Sequence, residues 1–116
     1  MRTVIPLIVD LAVQIVRFVN DDQPGVVECE FTDATGRRHI IIDKVPIFTC
    51  EILDAGSKYP RPGKARCMVL NRSRDARGRE LVSISSAHPD GIESNQGLSQ
   101  FIVVNDQVSA SAGDKA

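Results

Sequence analysis

Residues 26–43 constrain the fold more than any other stretch. Val27, Cys29 and Phe31 alternate with Glu28, Glu30 and Thr32, a period of two that gives a strand one apolar and one wet face. Asp33-Ala34-Thr35-Gly36 then reads as a tight turn, with Gly36 free to take a positive φ. Arg37 to Asp43 returns through His39, Ile40, Ile41 and Ile42. The stretch predicts a hairpin of strands at about 26–32 and 37–43. Its wet face would carry Glu28 and Glu30 opposite Arg37 and, depending on register, Arg38 or His39.

A second unit echoes the first. A strand is expected over 65–70, then a polar turn over 71–80, then a strand over 81–85 containing Leu81, Val82 and Ile84. Asp75-Ala76-Arg77-Gly78-Arg79 matches Asp33-Ala34-Thr35-Gly36-Arg37 at four of five positions. Two loops that need the same turn residues explain the match more simply than a duplicated hairpin does.

Around these units the reading is coarser. A strand is favoured over 11–19, though Arg17 breaks its alternation. Asn20 to Gly25 is a turn. Pro46 makes 45–48 a bend or an edge. Residues 49–54 read as a short strand or one helical turn, and 55–64, with two prolines and two glycines, as a loop. Residues 86–97 form a long polar loop before a last strand at 101–104, and 109–116 is a small, polar, disordered tail. With 116 residues and 42% apolar content the chain holds one core. The expectation is a mainly β domain over 1–108, a small antiparallel barrel or sandwich of about six or seven strands built from hairpins. A helical N-terminal segment would make it α+β.

Cys29, Cys50 and Cys67 are an odd number without a CxxC pair, so a reduced, cytoplasmic protein is expected, with Cys29 and Cys67 as core residues. Pro6 and Asp10 interrupt the apolar N-terminal run well short of the roughly 20 residues a membrane span needs. No membrane, metal or cofactor role is expected. No phosphate-binding loop, dinucleotide fingerprint or nucleophile elbow is present. His39 is expected as an exposed cross-strand residue and His88 as a solvated loop residue.

Near-neutrality, a net −1, conceals a basic block: residues 58–80 hold eight basic and two acidic side chains. Tyr59, Arg61, Arg66, Arg72, Arg74, Arg77 and Arg79 are therefore the candidate binding residues. Arginine is a common interface residue and pairs carboxylate or phosphate through two bonds. The plainest account of the block is neutralisation by carboxylates of the same domain, among them Glu28, Glu30 and Glu51.

Three functions follow as expectations. The first is a non-catalytic module that binds a protein partner or itself as a homodimer, through edge strands near Pro46 or Phe101. The second is a nucleic-acid binder using the arginine block, which holds a single aromatic, Tyr59, for base stacking. The third is an enzyme with His88 and Asp90 or Glu93 in the 86–97 loop.

Overall fold

The computed structural model describes residues 7–111. Seven strands form one antiparallel sheet: β1 (Ile8–Asn20), β2 (Val26–Thr32), β3 (Arg38–Lys44), β4 (Arg61–Arg74), β5 (Glu80–Ser85), β6 (Gln100–Val104) and β7 (Val108–Ala110). A single helical turn, α1 (Val45–Phe48), follows β3, and a short 3-10 turn lies between β6 and β7. The ladder runs β3-β2-β1-β4-β5-β6, with β7 beside β1, and the sheet curls into a half-barrel. The mainly β expectation is met and the helical alternative for the N-terminal segment is not.

β1 is the spine. Its first half pairs β4 on one edge and β7 on the other, and its second half pairs β2. The broken alternation at Arg17 has a local cause. Ile15 pairs Cys29 and Arg17 pairs Glu28, so Val16 is the extra residue of a β-bulge that resets the inward face. Val9, Leu11, Val13 and Ile15 before the bulge point into the core with Val27, Cys29, Ile41, Val82 and Ile84.

The ends of the sheet meet without a ladder. Ala34 N–H donates to Ile102 O at 2.8 Å and Asn95 N–H to Ile40 O at 2.8 Å. Inside this seam Phe31, His39 and Phe101 form a ring cluster, with centroids 5.2, 5.0 and 4.8 Å apart. His39 is thus a buried core residue and not the exposed cross-strand residue expected: its partner across the ladder is Phe31. Glu28 and Glu30 face Ile42 and Ile40, and of the expected charged pairs only Arg38–Glu30 forms, at 3.8 Å.

Other differences follow from pairing that local composition does not reveal. β4 runs from Arg61 to Arg74, through Pro62 and Gly63 and through half of the expected polar turn. Pro62 is tolerated because, among the described residues, 61–67 have a ladder neighbour only in β1, leaving an edge where a missing N–H breaks no pairing. Gly63 is required by a close approach, since a Cβ there would lie 2.9 Å from Ile15 and 3.3 Å from Phe48 O. The helical turn forms at 45–48 because Pro46 suits the first turn of a helix, while 49–54 is neither strand nor helix. Residues 109–111 of the expected tail belong to the fold instead: β7 pairs Ser109 with Asp10 and Ala110 with Val9, and Ser111 is buried. Residues 112–116 of that tail lie outside the described residues.

The candidate binding groove

The arginine block does not form one open patch. Arg61 reaches Glu51 at 2.7 Å. Arg66 makes two bonds to Asp90, at 3.2 and 2.8 Å. Arg72 donates to Asn105 Oδ1. Arg74 pairs with Glu80 at 3.0 Å and Arg79 with Asp75 at 2.7 Å. Arg77 is exposed at the tip of the β4–β5 hairpin. Tyr59 is partly buried and its hydroxyl donates to Asp54 O at 2.7 Å. The seven candidate residues therefore share no single surface: Tyr59 packs against the core, Arg61 and Arg66 fall on opposite faces of β4, and Arg72, Arg74, Arg77 and Arg79 lie along the protruding hairpin. Neutralisation comes chiefly from nearby Asp75, Glu80, Asp90 and Glu51, while Glu28 and Glu30 pair instead with Arg17 and Arg38.

The 86–97 loop is anchored from within. Ile92 is fully buried, and the Ser86 hydroxyl, itself buried, donates to Ile92 O at 2.7 Å. Ser94 N–H donates to Leu98 O at 2.7 Å. His88 and Glu93 are exposed, and Asp90 is committed to Arg66. Nothing in the loop brings His88, Asp90 and Glu93 together.

A broad concavity lies elsewhere, beside α1. It measures about 800 Å³. One wall is apolar, built by Pro24, Pro46, Ile47 and Phe48, and the open half of β4 contributes Pro62 and Gly63. Its polar end holds Asp10, Lys64, Arg66, Asp90 and Ser111, with Lys44 also on its lining. The local sequence explains the split. Within β4, Pro62, Lys64 and Arg66 alternate with the buried Gly63, Ala65 and Cys67, so the strand sends charge to one face and fills the core with the other.

A second groove of about 540 Å³ shares Pro24, Pro46, Thr49 and Cys50 with the first and continues past Ile52, a residue 97% exposed. Cys50 is exposed at the junction. Cys29 and Cys67 are buried as expected. Burial, reinforced by Glu28 and Asp43 for Cys29 and by Asp10 and Asp90 for Cys67, pushes both thiols up to about 12. Cys50 is thus the accessible thiol of the three.

The sequence pointed to Arg61 and Arg66 but not to Asp10, Ser111 or the α1 wall. One signal was available: an aspartate flanked by Val9 and Leu11 in an apolar strand must have a reason to be there. No family model, curated protein or solved structure matches the chain. Among the described residues no helix is long and apolar enough to cross a membrane.

Proposed function

We propose that this chain is a non-catalytic interaction module that holds an extended segment of a protein partner in the groove beside α1. The observation that carries the reading is the groove itself: about 800 Å³ of open space with an apolar wall, a charged end and a strand edge without a ladder neighbour along its floor. Extended peptides dock in this way, main-chain groups against a free strand edge and alternate side chains in pockets. The exposed Ile52 and the adjoining groove lengthen the apolar track.

The self-association version supplies that segment from a second copy. The edges first expected to pair are less available. Pro46 sits in a helical turn, and the outer edge of β6 already receives Ala34 N–H. The nucleic-acid reading has weaker support, because four of the six arginines face carboxylates. The enzyme reading lacks converging groups in the 86–97 loop.

Selection from a random peptide library against the full chain tests the proposal. Enriched peptides are expected to shift the backbone amide resonances of residues 47–50 and 63–66 and to protect Cys50 from iodoacetamide. Absence of enrichment, or shifts confined to 72–79, overturns it. Size-exclusion mass against 12.7 kDa separates the two versions: a monomer at high concentration leaves only a heterologous partner.

A further inference from the structure

One polar group lining the groove has no partner, and a second is only loosely paired. Asp10 is 6% exposed, yet among the described residues its ion-pair partner is Lys64 Nζ at 3.9 Å, beyond hydrogen-bonding distance, on a side chain that is itself 61% exposed. The Ser111 hydroxyl is buried and bonds to no group. Buried polar groups nearly always find partners, and a carboxylate out of water needs donors most of all.

The ladder places these two groups together. Asp10 pairs with Ser109 across β1–β7, so Ser111, two residues on, falls on the same face as Asp10. On the other edge Asp10 pairs with Arg66, whose guanidinium is engaged by Asp90 through two bonds. The carboxylate is therefore loosely compensated, beside an acceptor hydroxyl, at the end of an apolar track.

We propose that Asp10 and Ser111 form a subsite for a primary ammonium group at the end of an apolar, extended ligand, such as a peptide's α-amine or a lysine side chain. The inference rests on the groove reading and names the chemistry of its polar end. An ammonium has three donors and no acceptor, so one N–H serves the Asp10 carboxylate and another the Ser111 oxygen. The bond to Asp10 is charge-assisted. Lys64, held at 3.9 Å and mostly in solvent, gives way easily. A hydroxyl head can donate to Asp10 and accept from the Ser111 hydroxyl, but it brings no charge to the carboxylate, so its bond to Asp10 is weaker than the charge-assisted one an ammonium makes. A carboxylate head would meet Asp10 as a like charge.

Three probes with one tail test this on the full ¹⁵N-labelled chain: n-hexylammonium, n-hexanol and n-hexanoate, titrated at pH 7. Hexylammonium is expected to shift Asp10, Ser111 and residues 47–50 saturably, and to bind about fivefold or more tightly than hexanol. Asp10→Asn should erase that preference, and Ser111→Ala should reduce it. Because the comparison of heads is made on the unaltered chain, the result stands even where a variant fails to fold. Equal binding of hexanol and hexylammonium, or tighter binding of hexanoate, overturns the subsite and leaves the groove. If none of the three shifts residues 47–50, the groove reading falls with it.

Discussion

The hairpin turns at 33–37 and 75–79 are the same local object in two environments. Each is a five-residue loop in which the Asp Oδ1 accepts the N–H groups two and four residues on, the Asp N–H donates to the Arg O, and the Gly N–H donates to the Asp O. Gly36 and Gly78 take φ of 90° and 82°. They differ at the second carboxylate oxygen. In the first turn Asp33 Oδ2 binds the buried His39 Nε2 at 2.7 Å. In the second, Asp75 Oδ2 binds Arg79 Nε, also at 2.7 Å, in solvent. Because His39 takes that oxygen, Arg37 turns away to Gln96 of the 86–97 loop. One turn is tied into the core and helps close the sheet. The other ends a hairpin whose strands are exposed from Asn71 to Glu80 apart from a partly covered Asp75. Five residues specify the shape of the turn; what that shape contributes depends on where it docks.

Removing the carboxylate from each turn should separate the two roles most strongly. Asp33→Ala strips four hydrogen bonds, to Thr35 N, Thr35 Oγ1, Arg37 N and His39 Nε2, and leaves the imidazole buried without its acceptor. A loss of about 2–4 kcal/mol in urea unfolding is expected. Asp75→Ala leaves its amides to water and should cost clearly less. Equal losses would mean that the seam between β3 and β6 does not depend on the His39–Asp33 contact.

Acid sharpens the same contrast. Burial alone would raise the Asp33 carboxyl, but hydrogen bonds from His39, Thr35 and Arg37 outweigh it and lower it from 3.8 to about 2. A carboxyl depressed in the folded state stabilises it fully above the unfolded value, and that contribution disappears as pH falls through the folded one. That contribution is present above pH ~4 and lost towards pH ~2. Asp33→Asn should flatten this acid limb of the urea midpoint. Asp75 is also lowered, chiefly by its hydrogen bond from Arg79, but that partner is a surface side chain screened by water, and Asp75→Asn should leave most of the limb in place.

Much of this was legible in the chain. Alternation at 27–31 and Gly36 and Gly78 in polar loops marked both hairpins, because strand period and turn φ are properties of neighbouring residues. His39 was misread because a charged context, Arg37-Arg38-His39, says nothing of a Phe101 more than sixty residues away. β4 was read as half its length, since Pro62 and Arg72 are acceptable only where an edge is open or a hairpin protrudes. Of the groove, Arg66 was legible as a charge in a basic block. Asp10 and Ser111 share a face only through the β1–β7 ladder, and long-range pairing is the part of a fold that local pattern leaves open.

The glycines test whether the turns are intrinsically alike. A Cβ at Gly36 or Gly78 would meet nothing within 4 Å, so only the backbone resists substitution. Gly36→Ala and Gly78→Ala should each cost about 1 kcal/mol, and by the same amount. A larger loss at Gly36 would show that docking against Ile102 stiffens the first turn beyond its own chemistry.

The smallest expected effect concerns the two equivalent arginines. Arg79 pairs with a carboxylate and also donates to Ala34 O at 3.1 Å, joining one turn to the other, while Arg37 reaches a neutral amide. The Arg79 side chain is 46% exposed, so water and salt screen its ion pair, and Arg79→Ala should cost about 0.5 kcal/mol. That loss should shrink as salt is raised from about 0.01 to 1 M, over which the Debye length falls from about 30 to 3 Å. Arg37→Ala should show no such dependence, because no opposite charge is removed from its partner. A salt-insensitive Arg79→Ala would assign the residue's contribution to the Ala34 contact, and with it to the meeting of the two turns.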